Sequence, residues 1–507
     1  MNKPLRMIPT IFCVLIGLAG CKSSPPSSIP SDFQAGQLPP EYPAYTVFDN
    51  VNVLTMSSNE EKSFPDYRVV IRQDEITALG PRSEISIPDG AQVIDGNGRY
   101  LLPGFIDSHV HLLGIYGQGD VLGYYAGPAQ MSLYLQQGIT TIRTFSGRPR
   151  NGEWRDKVEK NEWLGTRIVT SGPVFGDSES RERFEKGAGR SLDKVSQDFS
   201  RQLEGTWPNN EAEATAAVNQ QYDDGYDFIK VKAGVTELTP AIFEAIAKAV
   251  RAHDGFLAGH IPAVIRGQVD IEYVLRYEDE VAHIVCLMME AYKPEFGSWE
   301  EYGQRLADTM IREGVSLVFN WSTDELEHEI GENVDVFQRP AYKYIPDGIL
   351  GEWKKELGEW KKQLGQEIYL TAQDHEHAVT LVSKLINAGV IVQAGSDTGA
   401  ASAPELVHRD LELMVSGGVT NYQALVTATR NGAQIIAKIK HTTADFGEIK
   451  AGYKADLVLL EANPLTNISN TRKRVGVMVD GHWFTQEQLD NMASAFKKMP
   501  VIPRKFE

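Results

Sequence analysis

The stretch Leu101-Leu-Pro-Gly-Phe-Ile-Asp-Ser-His-Val-His-Leu112 decides how the rest of the chain is read. In an extended strand successive side chains alternate between faces, so His109 and His111 point the same way with one residue between them. Such a pair suits a shared metal ion. The apolar run from Leu101 to Ile106 reads as a buried strand entered through Pro103-Gly104, and the histidines stand at its far end. Parallel α/β barrels carry their chemistry at the C-terminal ends of their strands.

Outward from this stretch, short β-like runs alternate with helical patterns, which implies a parallel sheet. Eight runs follow one another: GFIDSHVHL, ITTIRTF, TRIVTSG, DFIKVKAG, GFLAGHI, EVAHIVCL, VSLVFNW and VIVQAGSD. Eight βα units make a closed (β/α)8 TIM barrel. Two of the helical partners, PAIFEAIAKAVRAH from Pro240 and SWEEYGQRLADTMIREG from Ser298, place apolar residues at helical spacing. Before the barrel, Tyr45 to Tyr100 holds alternating runs separated by Asn-, Asp- and Gly-rich turns, expected as a small antiparallel β-unit. A matching fragment recurs from Phe446 to Phe484.

The 507 residues leave room for a barrel and a satellite domain. A hydrophobic fraction of 42% and a charged fraction of 23% argue against disorder and against a polytopic membrane protein. The net charge of -18 argues against nucleic acid as a partner, because phosphate binding needs clustered Lys and Arg. Residues 1–20 read as a secretory signal, with Lys3 and Arg6 ahead of an apolar run, Ile11 to Leu18, too short to span a bilayer. The signal ends Leu18-Ala19-Gly20-Cys21, which resembles the lipobox of bacterial lipoproteins. That resemblance implies cleavage before Cys21, lipidation of Cys21, and a lipid anchor in the bacterial cell envelope, facing the periplasm or the outer surface. Residues 21–42 are rich in Ser and Pro, the composition of a linker. Cys13 would leave with the signal and Cys21 would be acylated, so disulfides are not expected to hold this fold.

The run Pro103-Gly-Phe-Ile-Asp-Ser-His-Val-His111 resembles the opening strand of the metal-dependent amidohydrolase superfamily. The segment GYKADLVLLEANPL, and His408 to Lys438, resemble its imidazolonepropionase-like and prolidase-like subgroup, and the likeness extends from Asp49 to Phe484. It implies a β-sandwich built from both ends of the chain beside the barrel. The expected layout is then 43–100 and 443–488 for the sandwich, 101–442 for the barrel, and 489–507 for a C-terminal tail.

The resemblance also implies a ligand set. Lys230 and Lys232 share a strand face by parity; the family's Asp-(aromatic)-Ile-Lys-Val run picks Lys230, as a carbamate made from CO2. A lone histidine at a strand end is more often structural, yet His260 and His283 follow an HxH and a candidate carbamate in the family's order, and Asp397 follows them. One or two divalent ions, zinc foremost, are expected on His109, His111, Lys230, His260, His283 and Asp397. Asp397 is also the expected proton carrier while activated water attacks a carbon–nitrogen bond. The expected substrate is a small molecule or short peptide, such as a dipeptide or N-acyl amino acid. A cyclic-amide (imidazolone-type) hydrolase, an esterase, lactonase or organophosphate hydrolase on the same site, and a binding lipoprotein are the alternatives.

Arg143, near the end of the second strand, is the expected substrate contact. The long loops Gly172–Asn210 and Asn320–Gly365 contain Arg181, Arg183, Arg339, Tyr342 and Tyr344, read either as grips for a carboxylate or ring or as solvated surface. His375 and His377 form a second HxH in a helical pattern. Residues two apart there diverge by about 200° and cannot readily share a metal, so both are expected at the surface, with Asp374 as the N-cap. Asp107 is expected as a buried structural carboxylate. The sequence is compatible with an oligomer.

Overall fold

The structure is a computed structural model and describes residues 42–112, 130–145, 147, 149–176, 205–232, 238–261, 270–290, 297–332, 334–351, 354, 371–397 and 403–498. The signal, Cys21, Arg181 and Arg183 lie outside these.

Strands β1 (Thr46–Val53), β2 (Phe64–Arg72), β3 (Glu75–Pro81) and β4 (Gln92–Pro103) open the chain. The parallel strands follow: β5 (Phe105–Val110), β6 (Ile139–Thr144), β7 (Arg167–Thr170), β8 (Val174–Phe175), β9 (Gly205–Thr206), β10 (Ile229–Val231), β11 (Leu257–Gly259), β12 (Glu280–Val281), β13 (Ser316–Val318) and β14 (Val392–Gln393). Finally β15 (Leu457–Leu460), β16 (Arg474–Val479) and β17 (His482–Thr485) return to the first four.

Both chain ends build one seven-stranded sheet, ordered β17-β16-β15-β4-β1-β2-β3. The expected antiparallel unit needs one correction. β1 and β2, and β2 and β3, are antiparallel, but β1 runs parallel to β4, with Thr46 opposite Gln92 and Val53 opposite Leu101. Strand alternation divides the apolar residues between two cores. Leu101, Leu457, Leu459 and Met478 join Phe48 and Val69 within the sheet's own cluster, whereas Leu102, Val458, Leu460 and Val477 face the main core. Full burial of each such side chain contributes about 1.5–3 kcal/mol.

The remaining strands form two parallel sheets, β14-β13-β12-β11-β10-β8-β9 and β5-β6-β7. Each of the eight runs expected from the sequence supplies one of these strands, and backbone hydrogen bonds join the two sheets on both sides. Ser108 N donates to Ala394 O (3.0 Å) between β5 and β14, while Asp227 N donates to Thr170 O (2.9 Å) and Gly172 N to Phe228 O (3.0 Å) between β7 and β10. The turn from β4 into β5 requires Gly104, because a Cβ there would lie 2.2 Å from Thr140 Oγ1.

Helices cover the strands and begin where their caps dictate. Thr239 caps Pro240–Ala252, with Pro240 at the first turn, and Ser298 and Glu301 form a capping box on Trp299–Glu313, which ends at Gly314 with φ 72°. At Ala372–Ala388 the N-cap is Thr371, not Asp374; Asp374 is the reciprocal member of the box three residues on. Residues expected as a tail begin inside the helix Gln486–Lys497. Its Ala493 and Phe496 pack on Tyr342, Tyr344 and Ile345, and Lys497 pairs with Asp347 at 2.6 Å.

Candidate metal centre

Five parallel strands deliver the six expected side chains at or just past their C-terminal ends. His109 lies on β5 with His111 next beyond it; Lys230 lies on β10; His260, His283 and Asp397 follow β11, β12 and β14. His109, His111 and Asp397 each offer a ligand atom, all within 4.8 Å of one another. His109 Nε2 and His111 Nε2 stand 3.3 and 3.1 Å from Asp397 Oδ1. The His283 ring lies 4.7 Å from that of His109 and 4.4 Å from that of His260. Lys230 Nζ lies 4.6 Å from the centre of the Phe145 ring, on which His109 is stacked.

Local backbone geometry sets these positions. Asp397 adopts a left-handed conformation (φ 43°), and its N–H donates to His109 O at 2.7 Å, which ties the end of β14 to the HxH strand. Gly395 allows that approach, since a Cβ there would lie 2.9 Å from His109 N. Asp107 is fully buried and accepts from Ser396 Oγ and, at 2.8 Å, from Ser396 N; burial pushes its carboxyl up to about 7. It is the structural carboxylate expected from the sequence.

The electrostatics favour a donor set rather than a cluster of charges. Burial above all holds the imidazoles of His109 and His260 well below their ordinary range and brings His283 down to about 3, so the rings are neutral. Burial also lowers Lys230 to about 8. For Asp397, burial works upward, but the hydrogen bond from His111 and the neighbouring His111, His283 and Lys230 outweigh it and keep the carboxyl well below its usual range. Among the described residues Lys230 Nζ and His109 Nδ1 are buried without a hydrogen-bond partner. Buried polar atoms ordinarily have partners. Neutral imidazoles, an ionised carboxylate and an unengaged amine fit a divalent cation of the zinc type by donor chemistry.

Lys230 and Lys232 differ in burial: Lys230 is 2% exposed, whereas Lys232 is exposed. Arg143 requires a correction. Its side chain is fully buried, Nε donates to Ser108 O at 2.9 Å, and Nη2 pairs with Glu280, which also accepts from Ser316 Oγ and Gln393 Nε2. It lies inside the packed strands, with no surface to offer a substrate. Arg339 pairs with Glu329, and Tyr342 and Tyr344 are buried against the C-terminal helix. His375 and His377 are half-buried rather than surface residues, the first hydrogen-bonded to Trp321 Nε1 (3.1 Å) and the second 4.2 Å from the Trp299 ring. Among the described residues, the ring contacts of both are with these tryptophans.

Sequence reasoning missed Asn320 and Phe145. Asn320 is fully buried after β13, and its Nδ2 donates to Ala282 O (3.0 Å) and lies 2.9 Å from His283 Nδ1. Its position at the end of the seventh run was the available signal; Phe145 ends the second run in the same way.

The amidohydrolase family model matches residues 100–484. An imidazolonepropionase of Paenarthrobacter aurescens (strain TC1) is 28% identical over 157 residues, 30% of this chain and 37% of that relative. A dihydroorotase of Mycobacterium tuberculosis is 48% identical over 44 residues, 9% of this chain and 10% of its own length. The chain thus matches 37% of the first relative's length and 10% of the second's. Among solved structures, a Xaa-Pro dipeptidase with bound methionine in the active site superposes with a TM-score of 0.63 at 20% identity, over 87% of this chain and 100% of that one. The A. niger ochratoxinase gives 0.62 at 17% identity over 88% and 96%. These likenesses show a shared fold, and with its family model running from the strand before the HxH to the last strand of the sheet, the chain belongs to the amidohydrolase family.

Proposed function

We propose that this protein is a metal-dependent hydrolase that cleaves a carbon–nitrogen bond in a small substrate such as a dipeptide or N-acyl amino acid. The family assignment supports hydrolysis of such bonds, and the dipeptidase likeness of the fold favours a peptide-sized substrate. The two parallel sheets, hydrogen-bonded to each other along both edges, are read as one closed (β/α)8 barrel, with the seven-stranded sheet in the place of the β-sandwich.

The observation that carries the reading is the buried Lys230 amine, without a hydrogen-bond partner beside neutral imidazoles. An amine in that state can take up CO2, and as a carbamate Lys230 would hold two ions together with His109, His111 and Asp397 on one side and His260 and His283 on the other. A bound divalent cation would supply Lewis acidity toward the scissile carbonyl and lower the pKa of water. Asp397, ionised and flanked by His111, accepts the proton of the attacking water and delivers it to the leaving nitrogen. His109, stacked and enclosed, keeps its orientation through that transfer.

The decisive experiment loads metal-free protein with zinc in bicarbonate and assays it on dipeptide and N-acyl amino acid panels beside ester and lactone panels. Turnover of the amides is expected. Stoichiometric zinc with turnover of esters or lactones alone would overturn the amide assignment. The proposal includes a tether: Cys21 is lipidated, and a Cys21→Ser variant is expected to leave the membrane fraction.

A further inference from the structure

Phe145 stands one residue beyond β6, fully buried, where no metal donor is expected of it. The His109 ring lies 3.8 Å from its centre and within 8° of parallel. Lys230 Nζ lies over the ring at 4.6 Å, and the Arg143 guanidinium at 4.9 Å. Phe228, two residues before Lys230, meets it edge-on at 5.0 Å. One ring therefore touches the side chains of β5, β6 and β10 at the level where two expected ligands emerge.

From these contacts we infer that Phe145 is a positioning residue: its flat face seats His109 and Lys230 in register for a shared ligand. A stacked ring fixes the plane of the imidazole, which an aliphatic side chain of similar volume does not. The same ring offers Lys230 no acceptor, so the amine is located by contact without being engaged by a hydrogen bond. A carboxylate or amide at position 145 would capture Nζ; phenylalanine locates it and leaves it available. Residues that orient ligands from behind typically carry 10- to 100-fold in metal affinity.

The inference rests on the reading of Lys230 as a carbamate-forming ligand, and the test separates the two. Phe145→Leu keeps an apolar filler and removes the flat face; Phe145→Tyr keeps the face. Metal-free wild type and both variants are compared for unfolding midpoint, for zinc affinity by chelator competition, and for the 13C carbamate resonance after loading with zinc and 13C-bicarbonate. Phe145→Leu is expected to bind zinc about 10-fold more weakly and to lose most of the carbamate signal, while staying folded under the assay conditions although its metal-free midpoint is somewhat lowered, with Phe145→Tyr restoring both. Wild-type zinc affinity and carbamate signal in Phe145→Leu would overturn the positioning role, as would a loss of metal-free stability that accounts for the zinc defect. A wild-type protein that binds zinc without any carbamate signal would overturn the reading of Lys230 instead, and the inference with it.

Discussion

Two groups of buried polar side chains lie close together in this protein, and they are built on opposite plans. In the first, Arg143 from β6 meets Glu280 from β12, with Ser316 and Gln393 on the carboxylate and Ser108 O on the guanidinium. Its two charges cancel within the protein, although Arg143 Nη1 has no hydrogen bond. In the second, around His109, Lys230 and Asp397, the rings are neutral and the Lys230 amine has no hydrogen-bond partner. The charges of the first group balance without a ligand. The second has donors to spare, and only a species from outside can use them.

Damage to the two groups therefore separates chemistry from stability. The largest effect is expected at Asp397. Asp397→Asn removes the proton acceptor while keeping the shape, and kcat/KM should fall about 10²- to 10⁴-fold while the metal-free unfolding midpoint stays near wild type; unchanged turnover of the best substrate would break the assignment.

Glu280→Ala should do the reverse. It leaves Arg143 charged and fully buried without its partner, for which about 3–5 kcal/mol of stability is lost, measured by urea denaturation of metal-free protein. A loss confined to activity would erase the distinction between the two groups.

A smaller effect belongs to pH. His408 is fully buried, and burial first, then Arg474 and Arg472, hold its imidazole well below 6.5. The unfolded chain takes up a proton below pH 6.5 that the folded chain refuses, so the stabilisation is whole above that pH and is lost as the pH falls, by about 1.4 kcal/mol per unit. His408→Gln should show a correspondingly shallower decline between pH 6.5 and 5 in denaturation curves.

The smallest effect is expected at the second HxH. Replacing His375 and His377 together by alanine should leave zinc stoichiometry unchanged and kcat within about 2-fold, because those rings contact Trp321 and Trp299 instead of the candidate centre. Loss of an equivalent of zinc would move that pair into the site.

What the sequence revealed follows from these same physical facts. The HxH was legible because a period of two survives in a strand, and the order of the remaining donors because each strand of a parallel array ends at the same side. Lys230 and Lys232 could not be separated by that argument. β10 stops at Val231, so parity no longer governs Lys232, and burial distinguishes the two. Arg143 was misread because its partner lies 137 residues away and leaves no local trace. The parallel pairing of β1 with β4 was hidden for a related reason: alternation marks a strand but not its direction. Asn320 and Phe145 carry ordinary side chains whose significance lies in what stands opposite them.

The seven-stranded sheet has a consequence for how the protein is made. β4 runs through Pro103 and Gly104 straight into the HxH strand, and its neighbour on one side is β15, where Leu457 pairs with Pro103 and Leu459 with Leu101. β4 and that neighbour lie at opposite ends of the chain, so their pairing must wait until the segment between them has been brought together. Such distant pairing is slow and leaves an unpaired edge exposed meanwhile. Until the segment from Leu457 onward has docked, the first two histidines stand on a strand whose frame is still open, so competence to bind metal depends on the last strands to be added.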